Sequence, residues 1–98
     1  MRRNFKSPTE VKLLFYEKNF PVGQEVLITG RVHSTMRTKR VKLIIFIVDE
    51  EGTTMRLEMK DEGNFKVDLG DKIWAKGTVQ FDYIFPYITV SNIQSNKY

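Results

Sequence analysis

The chain is predicted to be all-β, a small closed barrel of five strands with one short N-terminal helix in front. Three observations carry that expectation. Apolar residues alternate along five runs, centred on Ile28, Ile45, Leu57, Ala75 and Ile88, and a period of two marks a half-buried strand. Gly30 and Gly77 interrupt two of those runs at the apolar phase. A glycine inside a strand marks a bend, a bulge or a close backbone approach. The third observation is size. With 98 residues, 41% hydrophobic and 29% charged, the chain makes one ordinary folded domain with one core and little room for an enclosed active site.

Residues 1–6 form a basic lead-in. Ser7-Pro8-Thr9-Glu10 reads as a capping box, with Ser7 as cap, proline in the first turn and Glu10 reaching back to the cap amide. The predicted helix runs from Pro8 to Lys18. Val11, Leu14, Phe15 and Lys18 recur at helical spacing, which gives it a side to pack on the barrel. Asn19-Phe20-Pro21 ends it, because the residue before proline resists helix.

The first strand is predicted over Glu25 to Thr35. Val26, Ile28, Gly30 and Val32 share one face; Thr29, Arg31 and His33 share the other. A basic loop follows. The second strand, Val41 to Val48, is apolar on both faces: Leu43, Ile45 and Ile47 form one set, Ile44, Phe46 and Val48 the other. Asp49-Glu50-Glu51-Gly52 is a tight hairpin turn. The third strand, Thr53 to Lys60, points Met55, Leu57 and Met59 inward and Thr54, Arg56, Glu58 and Lys60 outward. Asp61 to Gly70 is a connection with room for one helical turn. The fourth strand, Lys72 to Phe81, sets Ile73, Ala75, Gly77 and Val79 against Trp74, Lys76 and Thr78. The fifth, Tyr87 to Ile93, carries Ile88 and Val90. The expected organisation is therefore lead-in and helix over 1–21, barrel over 22–94 and a loose tail over 95–98.

Charge is placed unevenly. The formal balance is +4, a statement about partners and not about fold. Between Arg31 and Lys42 stand Arg31, Arg37, Lys39, Arg40 and Lys42 with no acid, whereas from Asp49 to Glu62 the acids dominate. One face suits polyanions and another avoids them. The absence of cysteine excludes disulfides and thiolate metal sites. No apolar stretch follows the basic lead-in as a signal peptide requires, and the longest apolar run, Leu43 to Val48, is too short for a helical membrane span. A cytoplasmic protein without a membrane partner is expected.

Catalytic readings find little support. His33 is the one histidine, it falls on a strand, and a general base needs positioned partners. The acids at 49–51 match no calcium loop, and no glycine-rich phosphate loop occurs. The expectation is a non-enzyme with no cofactor and no metal.

The pattern Val26-x-Ile28-x-Gly30-x-Val32, the basic loop, the Asp49-x-x-Gly52 turn, and Gly70-Asp71-x-Ile73-x-Ala75-x-Gly77-x-Val79 recur in one superfamily. Residues 22–93 resemble the OB-fold barrels of the anticodon-binding and single-strand-binding type, five-stranded Greek-key barrels. Such barrels are found in class II aminoacyl-tRNA synthetases, RecG-type helicases, bacterial replicative polymerases and replication protein A. The resemblance implies a barrel that binds single strands through its second and third strands and the flanking loops. The short connection between strands three and four departs from the larger members, which carry a full helix there.

Three groups of candidate binding residues follow. Arg37, Lys39, Arg40 and Lys42, on a loop taken to be mobile, suit phosphates and the release of their counterions, with Arg31, Arg56 and Lys76 on strand faces beside them. Phe46 and Trp74, with Ile44 as a lesser candidate, fall on the outward phase and suit stacking on bases. Phe81, Tyr83, Phe85 and Tyr87 place an aromatic at every second position between strands four and five, where OB-folds grip oligonucleotides. Such an apolar loop equally suits docking of a protein. The expected partner is single-stranded nucleic acid, DNA ahead of RNA, in replication, repair or recombination. The alternative is an accessory subunit of a larger replication or repair enzyme.

Overall fold

The computed structural model describes residues 10–11, 21–40, 42–50, 52–61, 65–82 and 85–96. Five strands form a closed barrel: β1 (Glu25–Arg37), β2 (Lys42–Val48), β3 (Thr54–Lys60), β4 (Lys72–Asp82) and β5 (Phe85–Asn96). Around the barrel the order is β1-β2-β3-β5-β4, with β4 pairing back onto β1. Neighbours are antiparallel except β3 and β5, which run parallel. Closure pairs most of the sheet edge that would otherwise invite aggregation.

The inward residues are those that the alternation predicts. Val26, Ile28, Val32, Leu43, Ile45, Ile47, Leu57, Ile73, Ala75, Val79 and Ile88 are buried in one cluster. Val11 joins them completely buried, so the N-terminal segment supplies a core side chain. The helix expected over Pro8–Lys18 otherwise lies outside the described residues.

Both strand glycines are required by contact. A Cβ on Gly30 would stand 2.8 Å from the Val48 carbonyl oxygen and 3.2 Å from an Ile47 methyl. One residue on, Arg31 pairs with both Lys72 of β4 and Val48 of β2. There β1 leaves one neighbour and joins the other, and Gly30 permits the bend. Gly77 is tighter, because its Cβ would collide with the Thr89 carbonyl oxygen on β5.

The turns obey local chemistry. Asp49 Oδ1 accepts the Thr53 amide at 2.8 Å, and Gly52 takes φ 84°. Together they close the β2–β3 hairpin, where Val48 faces Thr54. Gly70 takes φ 88°, and the buried Asp71 carboxylate accepts the Asp68 amide at 2.8 Å. The Val32 amide donates to the Asp71 carbonyl at 2.9 Å, which ties the start of β4 to β1.

Four expectations change. First, β1 continues to Arg37 and carries a register shift between Val32 and Ser34. The extra residue, exposed His33, is a bulge that reverses the alternation. Ser34 and Met36 therefore face outward with Phe46 and Ile44, while Arg37 shares the phase of Leu43. Second, the connection after β3 shows no helix over its described residues. Phe65 and Val67 pack against the core from irregular backbone. Third, β4 and β5 extend toward each other, and Asp82 pairs with Phe85. Phe81, Phe85 and Tyr87 thus stand on strands and not in a loop. Fourth, β5 runs through Asn96, and Ser95 Oγ donates to Asp71 at 3.4 Å. Ser95 and Asn96 belong to the barrel and not to a tail.

Candidate nucleic-acid interface

The outward face of β2, β3 and β5 is built by register. Lys42 faces Lys60, Ile44 faces Glu58 and Phe46 faces Arg56 across β2 and β3. On β5, Thr89 lies beside Glu58 and Tyr87 beside Arg56. The β3–β5 seam holds over only two residue pairs, Leu57↔Ile88 and Glu58↔Thr89. Beyond them the strands part, and an open groove of about 630 Å³ lies between Arg40, Lys42 and Lys60 on one side and Tyr87, Thr89 and Val90 on the other. Glu58 and Met59 complete its lining.

The charges in this groove are only partly balanced. Glu58 is its one lining acid. Its Oε1 lies 3.5 Å from Lys42 Nζ, and its Oε2 lies 3.0 Å from Arg56 Nε. Arg56 Nη2 also lies 3.5 Å from Asp82 Oδ2. Neither Arg56 nitrogen has its N–H aligned on an acceptor, and both are shut off from solvent. The guanidinium stacks on the Tyr87 ring at 4.5 Å from its centroid, a cation–π contact. Arg40 and Lys60 make no ion pair among the described residues. The groove is basic at the end near the β1–β2 turn, while the opposite end of the same strands meets the acidic turn of Asp49 and Glu50.

That β1–β2 turn is shorter and firmer than the expected mobile loop. The Thr38 amide donates to the Lys42 carbonyl at 2.9 Å, and Thr38 Oγ1 accepts the amides of Arg40 and Lys42 at 3.3 Å each. Lys39 and Arg40 project from this braced turn, both exposed. Arg37 is not among them. At the end of β1, its Nε bonds Asp61 Oδ2 at 2.8 Å and its Nη2 donates to the Phe65 carbonyl at 3.2 Å. It staples the β3–β4 connection to the barrel. The bulge at His33 is the reason, because it turns Arg37 toward the barrel's end.

The predicted stacking pair also separates. Phe46 and Trp74 both point outward, but from different walls. β4 bonds β1 and β5 and neither β2 nor β3, so Trp74 projects from the side opposite Phe46. Phe46 is half-buried, while Trp74 is 47% exposed. Around Trp74 lie Leu27, Lys76, Asn92 and Gln94, and Lys76 pairs with Glu25 at 3.5 Å. Arg31 stands at the corner between the walls and donates to the Gly70 carbonyl at 3.1 Å. Phe85, 66% exposed, shares the outward phase with Tyr87 at the far end of the β4–β5 hairpin, and Phe81 is exposed beside it. Tyr83 lies outside the described residues.

The structure therefore gathers Arg40, Lys42, Phe46, Arg56, Phe85 and Tyr87 on one face. It leaves Arg31, Arg37, Trp74 and Lys76 elsewhere. Lys60 and Glu58 belong to the groove but were not singled out as binding residues. The hairpin signal already contained them: a turn at Asp49–Gly52 puts Val48 opposite Thr54, and counting back puts Lys42 opposite Lys60. Among the described residues no group of histidine and acidic side chains is placed to hold a metal, and no helix is long and apolar enough to cross a membrane.

A closed five-stranded barrel in this order, with a short parallel seam between β3 and β5, is the OB-fold. Solved structures agree. A chain of the Stn1–Ten1 complex of S. pombe is 13% identical with a TM-score of 0.67, over 81% of this chain and 62% of that one. The second OB-fold domain of replication protein A from Methanococcus maripaludis is 23% identical with a TM-score of 0.61, over 76% of this chain and 85% of that one. An OBody bound to hen egg-white lysozyme is 23% identical with a TM-score of 0.65, over 79% of this chain and 83% of that one. The chain thus spans less than two thirds of the Stn1–Ten1 chain it matches. No family model and no curated protein matches the sequence.

Proposed function

We propose that this barrel binds single-stranded nucleic acid, without catalysis, in the groove between β3 and β5. One observation carries the reading: Arg40, Lys42 and Lys60 line one side of an open groove whose other side carries Tyr87. Cations there capture phosphates and release counterions. Tyr87 and Phe85 offer rings to bases, a contact that tolerates any sequence. Preference among sequences is weak, because phosphate and stacking contacts carry little code. DNA in replication, repair or recombination is the favoured setting, and the fold shared with a domain of replication protein A supports it.

The test is a polarization titration with matched labelled DNA and RNA oligonucleotides across a salt series. Replacing Arg40 and Lys60 with alanine removes two phosphate contacts. That weakens binding roughly 25-fold at 0.1 M salt and flattens the salt slope by about 1.4. An unchanged slope refutes the groove.

The second reading is an accessory subunit docked through the β4–β5 hairpin. Its support is the exposure of Phe85 and Phe81 at one end of the barrel, together with a fold that also serves a protein-bound OBody. No oligonucleotide binding below high micromolar, together with co-purification of a larger protein that Phe85→Ala releases, favours it.

A further inference from the structure

Glu58 occupies a position of unusual consequence. Its carboxylate bridges two cations from different strands, Lys42 at 3.5 Å and Arg56 at 3.0 Å. Its side chain is only 13% exposed, while the Lys42 side chain beside it is 56% exposed, so the ammonium it partly neutralises stays within reach of a ligand in the groove. It is also the one acid lining a groove that otherwise presents Arg40, Lys42 and Lys60. A carboxylate held between an ammonium and a guanidinium sits where a phosphate would sit, because both present anionic oxygens at ion-pair distance.

We infer that Glu58 is a built-in competitor for the phosphates of a single-stranded DNA ligand and sets how tightly the groove binds. The inference rests on the groove being the oligonucleotide site. While Glu58 partly neutralises Lys42, an incoming strand meets Arg40 and Lys60 as the groove cations without a counter-ion among the described residues; Arg56, with Nε and Nη2 shut off from solvent, stays with Glu58. A single phosphate has little to gain by displacing the carboxylate. A strand already held by Arg40 and Lys60 presents its next phosphate at high local concentration. Glu58 thereby selects for extended polyanions over mononucleotides. The two Arg56 nitrogens without an aligned acceptor fit a guanidinium that the carboxylate neutralises but does not satisfy.

The experiment compares the intact protein with Glu58→Gln, which keeps the shape and removes the charge. Binding of a labelled oligothymidylate is measured across a salt series, with thymidine monophosphate as the single-phosphate probe. Each freed cation adds about 0.7 to the salt slope and roughly fivefold in affinity at 0.1 M salt. Glu58→Gln frees the exposed Lys42 and not the buried Arg56, and is therefore expected to bind about fivefold tighter with a slope steeper by about 0.7, and to gain measurable affinity for the mononucleotide. In a Lys42→Ala background the gain disappears, since the accessible cation that Glu58 withholds is gone. A gain of the same size in both backgrounds reflects general charge and overturns the inference, as does unchanged or weaker binding by Glu58→Gln.

A measurement on the unmutated protein guards against a folding defect in the variant. The Lys42 side-chain ammonium resonance should move when oligothymidylate is added, and a stationary signal overturns the inference. Loss of oligonucleotide binding in Arg40→Ala/Lys60→Ala with no response to Glu58→Gln defeats the competitor alone. Absence of binding by the intact protein defeats the proposed function itself.

Discussion

The two outer walls of the barrel carry similar residues and differ in how their strands are paired. On the wall around Trp74, every residue of β4 pairs with β5, and Lys72 to Thr78 also pair with β1. Its outward side chains stand on a closed sheet, and its cation Lys76 is paired with Glu25. On the wall around Tyr87, β3 and β5 share two residue pairs and then diverge. The gap becomes a groove, and Arg40 and Lys60 overlook it without a counter-ion among the described residues. An exposed aromatic beside a lysine is therefore not by itself a binding site. The site needs strands that separate, so that a ligand has a trough and some of its cations, here Arg40 and Lys60, have no neighbour among the described residues to neutralise them.

The walls can be tested against each other most forcefully at the glycine under the closed one. Gly77→Ala drives a methyl group into the Thr89 carbonyl and the Ile88 side chain. The expected cost is about 3 kcal/mol, the upper end for overpacking, read as a fall in the denaturation midpoint. Gly30→Ala meets the Val48 carbonyl at a longer 2.8 Å and costs about 1–2 kcal/mol. Ile88 and Thr89 are also the two β5 residues of the β3–β5 seam, and Thr89 lines the groove, so below its melting temperature the Gly77 variant should bind oligonucleotide more weakly as well. Unchanged binding in the folded variant would show that the two walls are mechanically independent.

The aromatics sharpen the contrast. Tyr87→Ala removes a ring from the groove and the platform under Arg56, for an expected loss of about 1–3 kcal/mol in oligonucleotide binding. Trp74→Ala is expected to leave binding within twofold, although Trp74 is the more exposed ring. Tryptophan fluorescence supplies an independent readout, because Trp74 is the only tryptophan. Oligonucleotide added to the intact protein should leave its emission unchanged. Quenching would move the site to the closed wall.

What could be read from residues alone follows the range of the interactions. Strand faces obey a period of two, so the inward sets of β2, β3 and β4 were legible, as were the bend at Gly30 and the need for a glycine at 77, where the structure shows a close approach to β5. The β2–β3 register was legible as well, because one turn with Asp49 and Gly52 fixes it. The seam between β3 and β5 was not. It joins strands distant in sequence, in parallel, and no local signal announces where two parallel strands part. The bulge at His33 was equally hidden. Nothing in Val32-His33-Ser34 marks an inserted residue, yet that residue reverses the phase and carries Arg37 away from the cations it resembles.

Arg37 accordingly offers the smallest and most discriminating prediction. By composition it belongs with Lys39 and Arg40 in one basic cluster; by geometry it is a clasp between β1 and the β3–β4 connection. Its ion pair with Asp61 is half exposed on the arginine side, so its contribution is screened by water and salt and stays below about 1 kcal/mol. Arg37→Ala should lower the denaturation midpoint slightly and leave the salt slope of oligonucleotide binding unchanged. Lys39→Ala, at an exposed position in the braced turn with no stabilising partner among the described residues, should leave stability alone. If Arg37→Ala instead flattens the salt slope by about 0.7, the value for one phosphate contact, then the clasp opens to the ligand. The boundary of the basic face would then have to be redrawn around the end of β1.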